Sequence, residues 1–125
     1  MGAFKRDLQI LLYTPASQFA ICRRFYECVL EEQPYYSWSD GPEDCGAKFH
    51  AGGGTISVLC QDHSGTAGPV MMNLETADVD DEFSRIRDIE GVQIIQKPVT
   101  KPYGTRCFSL RDPCGNQINI YHSNH

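Results

Sequence analysis

The chain has 125 residues, 41% hydrophobic and 22% charged, with a formal net charge of −5 from 11 basic and 16 acidic side chains. That length fits one domain that buries a continuous core without disulfide or metal staples. The acidic balance argues against nucleic acid, which needs a basic face, and no apolar run nears the roughly 18 residues that span a bilayer.

In chain order, residues 7–14 (DLQILLYT) form a short apolar run and read as a buried strand. Pro15 ends it, and Ser17 is the expected N-cap of a helix carrying Phe19, Cys22, Phe25, Tyr26 and Val29 at intervals of three and four. Gln33-Pro34 is expected to close that helix. Residues 35–38 are β-prone, 39–46 read as a polar loop, and 47–50 as a short strand. The triple glycine Gly52-Gly53-Gly54 is a turn, and not a phosphate loop, because no Lys-Ser/Thr and no helix follow it. Residues 55–60 alternate as a strand.

A polar linker over 62–68 precedes a second copy of the same order. Residues 70–76 read as a strand. Asp78 caps a helix with Val79, Phe83, Ile86 and Ile89 on its apolar side, and Gly91 is expected just past its end. Strands follow over 92–95, 104–110 and 116–121, with a two-proline loop at 97–102 and a turn at Asp112-Pro113-Cys114-Gly115. The chain thus reads as β-α-β-β-β twice, an α+β domain over 1–125 with halves at 7–61 and 69–122. Leu12 and Thr14 match Leu74 and Thr76, and Ile56 and Val58 match Ile118 and Ile120. One helix per half covers one sheet face, and the other faces form a cup where small-molecule pockets tend to lie.

Alternation gives the inward set: Gln9, Leu11 and Tyr13; Ser57 and Leu59; Met71, Asn73 and Glu75; Gln117, Asn119 and Tyr121. Trp38 is expected to overhang the cup with Tyr35 and Tyr36, and Cys107 and Ser109 to line the seventh strand. Aromatic rings, amides and one acid suit stacking and hydrogen bonding better than acid–base chemistry. The candidate ligand-binding residues are Gln9, Tyr13, Trp38, Ser57, Met71, Asn73, Glu75, Asn119 and Tyr121. No catalytic residue stands out: Cys107 or Ser109 as a nucleophile would need a neighbouring base. His50, His63, His122 and His125 show no ligand spacing, and His122 should point away from the face of Asn119 and Tyr121. Arg23, Arg24, Arg85 and Arg87 read as solvated helix faces. The six cysteines make no C-x-x-C pair, and the first dozen residues lack a small-residue cleavage site. Reduced thiols in the cytoplasm are expected.

Three stretches together carry a family resemblance: FYECVL (25–30), LETADV (74–79) and PYGTRCFSLRDPCGNQINIY (102–121). Their order and spacing resemble the glyoxalase/bleomycin-resistance/dioxygenase, or vicinal oxygen chelate, superfamily over residues 7–122. The resemblance implies two βαβββ repeats forming a cupped mixed sheet. It also implies a divalent-metal site in the metal-using members, at positions matching Gln9, Ser57, Met71 and Asn119. Of these only Gln9 is a residue type that the family uses as a ligand. Two amides, a hydroxyl and a thioether supply no anion to offset dehydration of a hard dication. No metal and no other cofactor is therefore expected. The sequence is similar to the bleomycin-resistance members, which implies a homodimer that binds a cationic or aromatic small molecule. The rival readings are a metal-dependent lyase, epimerase or dioxygenase, and an interaction module with a vestigial cup.

Overall fold

A computed structural model describes residues 8–61 and 70–123. The linker at 62–68, His63 and His125 lie outside the described residues, as do residues 7 and 69, the first of each expected half. The elements run β1 (Gln9–Tyr13), α1 (Phe19–Leu30), β2 (Tyr36–Gly41), β3 (Asp44–Ala51), β4 (Gly54–Gln61), β5 (Met71–Glu75), α2 (Val79–Ile86), β6 (Gln93–Thr100), β7 (Thr105–Arg111) and β8 (Gln117–Ser123).

Each half is one four-stranded sheet, ordered β1-β4-β3-β2 and β5-β8-β7-β6. The inner pairs β1/β4 and β5/β8 are parallel, and the remaining pairs antiparallel. The repeat seen in the sequence is also a repeat of register. Leu12 stands beside Val58 as Leu74 stands beside Ile120, and the N–H groups of Thr14 and Thr76 donate to the carbonyls of Leu59 and Tyr121.

The helix-facing sides of both sheets share one core. Cys22, Phe25, Tyr26 and Val29 of α1 meet Ala47, Phe49, Ile56 and Val58, and the same cluster continues through Val79, Ile86, Phe108, Leu110, Ile118 and Ile120. Polar links also cross between the halves. Arg85 Nη1 and Nη2 donate to the carbonyls of Cys28 (2.7 Å) and Val29 (2.9 Å), satisfying acceptors that the end of α1 leaves open. Arg85 is therefore a tie between the helices, not the solvated side chain that its sequence neighbourhood implied.

Local chemistry explains the departures from the expected boundaries. Ser17 lies in a short 3₁₀ turn, Ala16–Gln18, and caps nothing; α1 starts at Phe19 with no side-chain cap. The helix ends before Gln33-Pro34, at Leu30, where Glu31 takes the left-handed conformation (φ 53°). Asp78 does cap α2, accepting from the N–H groups of Asp80 and Asp81. Gly91 (φ 89°) is not the residue that ends α2, because α2 stops at Ile86 and two further turns close through Ile89 and Val92. The expected loops at 39–46 and 97–102 are largely strand. β2 and β6 are outer edge strands, so polar residues and Pro98 are tolerated there, and β6 accommodates Pro98 at a register shift between Gln96 and Val99. His122 points to the helix side as expected, and its Nδ1 accepts the N–H of Val79 at 2.8 Å.

Candidate functional site

The faces away from the helices carry the candidate residues. On the first sheet, the register aligns Gln9, Leu11 and Tyr13 with Thr55, Ser57 and Leu59, then with Gly46 and Lys48, then with Trp38 and Tyr36. Trp38 lies flat over Gly46, and a Cβ at residue 46 would come within 2.2 Å of the indole. Trp38 Nε1 also donates to Asp44 Oδ1 at 3.0 Å. Gly46 is thus the residue that seats the tryptophan. Sequence reading missed it because it fell in the stretch taken as a loop. Tyr35 lies on this face too, at its Thr55 end. It stacks on His50 (ring centroids 4.2 Å apart) and shares a hydrogen bond with Thr55 Oγ1 (3.2 Å).

On the second sheet, Met71, Asn73 and Glu75 align with Gln117, Asn119 and Tyr121, which in turn face Arg111, Ser109 and Cys107. Asn119 is the centre of a hydrogen-bonded amide cluster. Its Oδ1 accepts from Ser109 Oγ (2.8 Å) and Gln117 Nε2 (3.1 Å), and its Nδ2 donates to Asn73 Oδ1 (2.8 Å). These bonds tie Asn119 to its neighbours on β5, β7 and β8.

Three spaces adjoin these faces among the described residues. β1 and β5 border a cleft of about 360 Å³ lined by Leu8, Ile10, Thr55, Met71 and Asn73. A recess of about 290 Å³ is formed by Asn73, Tyr103, Thr105, Cys107, Asn119 and Tyr121. Beside it, a larger one of about 580 Å³ runs between the halves past Glu31, Gly52, Glu75, Glu82, Arg85 and Tyr121. Asn73 and Tyr121 border both recesses. Asn73, Glu75, Asn119 and Tyr121 are therefore brought together as candidates. Gln9, Tyr13, Trp38 and Ser57 stand on the other sheet and line none of these three spaces. Met71 is 65% exposed at the border between them. Tyr103, Glu31 and Glu82 are lining residues that strand alternation could not reveal, because they come from a loop, a helix end and a helix, whereas Thr105 shares the alternation of Cys107 and Ser109.

Three comparisons set this architecture against known proteins. No family model and no curated protein matches the sequence. Among solved structures, TioX from Micromonospora sp. ML1 superposes with a TM-score of 0.75 at 19% identity, covering 94% of this chain and 98% of that one. A glyoxalase/bleomycin resistance protein from Catenulispora acidiphila DSM 44928 gives 0.68 at 21%, covering 94% and 97%. A glyoxalase-related enzyme from Fulvimarina pelagi gives 0.71 at 18%, covering 94% and 88%. This chain has the glyoxalase/bleomycin-resistance/dioxygenase fold. At these identities the likeness is one of fold.

Within that fold, the metal positions implied by the resemblance are Gln9, Ser57, Met71 and Asn119. The residues present do not fit a hard divalent ion. Ser57 is fully buried and its Oγ donates to Gln9 Oε1 (3.4 Å), while Asn119 has both ends of its amide engaged. None of the four carries a charge, so nothing offsets the loss of the ion's hydration shell. Among the described residues, no three His, Cys, Asp or Glu side chains converge elsewhere.

Proposed function

We propose that this chain is a metal-free small-molecule binding protein of the glyoxalase/bleomycin-resistance superfamily that holds a planar cationic ligand on its open sheet faces. The observation that carries the reading is the Asn119 cluster. An amide and hydroxyl network surrounds Asn119, one of the positions that the resemblance implies for a metal, bordered by Tyr103 and Tyr121 and opening toward Glu75. The two recesses that meet at Tyr121 measure about 290 and 580 Å³, in the range of small-ligand pockets. The larger one carries Glu75, besides Glu31 and Glu82, which are ion-paired with Arg85. Tyrosine faces and excess carboxylate recognise a cation with an aromatic body.

A homodimer is part of the proposal. The open faces expose Leu11 (45%) and Met71 (65%), which a second copy would cover. A cup completed in this way would bring Trp38, Gln9 and Ser57 of one protomer opposite Met71, Asn119 and Tyr121 of its partner. The proposed setting is the cytoplasm; among the described residues no helix is long and apolar enough to cross a membrane.

Sedimentation velocity with 9-aminoacridine, a planar aromatic cation, tests both parts at once. The dye is expected to co-sediment with a species of twice the 14.0 kDa chain mass. Glu75→Gln should weaken its binding about three- to tenfold. Free dye above a protein boundary would overturn the ligand class, and a boundary at one chain mass would overturn the dimer.

A further inference from the structure

Cys22 and Cys114 are separated by 92 residues of chain, yet their Sγ atoms lie 2.8 Å apart. Cys22 sits on the core face of α1 and is 1% exposed, whereas Cys114 is half-buried in the turn between β7 and β8. Both side chains are held from several directions. One turn along α1 from Cys22, the Tyr26 hydroxyl donates to Asp112 Oδ2 (2.6 Å), and Asp112 Oδ1 accepts the N–H of Cys114 (2.9 Å). Behind the turn, Pro113 packs against Gly91 so closely that a Cβ there would come within 2.9 Å of the proline ring. The turn is thus clamped onto α1 with the two sulfurs facing.

We infer that Cys22 and Cys114 form a reactive thiol pair, a modification site at which a small-molecule disulfide such as glutathione disulfide is reduced and a bridge between the two halves is formed. The environment gives the two sulfurs different roles. The hydrogen bond between the sulfurs holds the Cys114 thiol below its ordinary range against the opposing effect of burial. The same hydrogen bond, with burial, pushes the Cys22 thiol up. Cys114 is also the solvent-reachable member, so it is the attacking thiolate and Cys22 the resolving thiol.

In the first step, the Cys114 thiolate attacks one sulfur of glutathione disulfide, and the S–S bond breaks to release one glutathione thiolate. Cys22 then loses its proton to solvent and attacks the Cys114 sulfur, releasing the second glutathione thiolate. The protein loses two electrons and two protons, and the disulfide is reduced to two glutathione thiols. The sulfurs need to approach by less than about 1 Å to reach bonding distance. Of the other described cysteines, Cys45 and Cys60 stand opposite each other within the first sheet, Cys28 is exposed and Cys107 lies on β7.

The test is incubation of the full chain with glutathione disulfide, alkylation of remaining thiols, and peptide mapping without reduction. The expected result is a tryptic peptide of residues 7–23 linked to one of residues 112–125, with an intact mass about 2 Da lower. Because the closed loop is long, oxidation should raise Tm by about 5–10 °C, reversibly with dithiothreitol. Cys22→Ser should instead trap a glutathione adduct on Cys114. Free thiols at Cys22 and Cys114, with glutathione found only on Cys28 or a link found only between Cys45 and Cys60, would overturn the inference. The wild-type map decides the matter even if the variant fails to fold.

Discussion

Asp112→Ala is expected to remove about 3–5 kcal/mol of stability, measured as a fall in the urea midpoint. Asp112 is 4% exposed and accepts four hydrogen bonds. Oδ2 takes the Tyr26 hydroxyl (2.6 Å) and Asn116 Nδ2 (2.9 Å), while Oδ1 takes the N–H groups of Cys114 (2.9 Å) and Asn116 (2.8 Å). Truncation leaves a buried phenol, a buried amide and two backbone donors facing a void. Each unsatisfied group costs on the order of 1–3 kcal/mol, partly recovered if water enters. The damage would not stay local. The Asn116 carboxamide also accepts the N–H of Val70, so the entry to β5 depends on the same turn. Tyr26 is the one of these four partners that the other half supplies, and Tyr26→Phe isolates it at about 1.5–3 kcal/mol, the range for a bond to a charged acceptor. Burial first, and the Asp112 carboxylate second, push the Tyr26 hydroxyl far above the ordinary phenol range, so it remains a donor across the working pH range. A loss below about 1 kcal/mol for Asp112→Ala would mean that the turn does not tie the halves together.

Phe108→Ala is the second large loss, again about 3–5 kcal/mol. Phe108 is fully buried on β7 and meets Phe83 of α2 edge-on, with ring centroids 5.3 Å apart and planes at 76°. The internal repeat shows why the site does not collapse easily. Ala47 pairs with Val58 where Phe108 pairs with Ile120, and Phe49 pairs with Ile56 where Leu110 pairs with Ile118. Large and small side chains have thus exchanged places between the halves. The second half has no bulky neighbour on β7 to fill the space that Phe108 would vacate, because Leu110 is already buried against Ile118. Equilibrium unfolding of Phe108→Ala measures the cost, and a loss below about 2 kcal/mol would mean that the core closes over the cavity.

The architecture was legible in the sequence because its signals are periodic. Val79, Phe83 and Ile86 repeat at helical intervals, and Ile118 and Ile120 alternate along a strand, so burial of one face fixes the element and its register. The same logic placed Asn73, Asn119 and Tyr121 on one face. Edge strands were less legible. β2 and β6 lie on one side against solvent, and Pro98 reads as a breaker unless the strand is known to be outermost. Helix ends were also misplaced, since Ser17 offers a cap that the chain does not use. Alternation assigns faces within a sheet but says nothing of how two sheets stand to each other, and Gln9 and Ser57 do not line the recess that Asn119 borders. Arg85 was misread because its partners are carbonyls of a helix more than fifty residues earlier, and no local pattern announces them.

Metal content tests the central claim most directly. Purified protein would be incubated with Fe(II), Ni(II), Zn(II) or Mn(II), dialysed, and analysed for each element. A ligand set of two amides, a hydroxyl and a thioether should retain less than about a tenth of an equivalent of any of them. Retention near one equivalent, lost on Gln9→Ala, would contradict the metal-free account and make Lewis-acid chemistry at the sheet face the better reading.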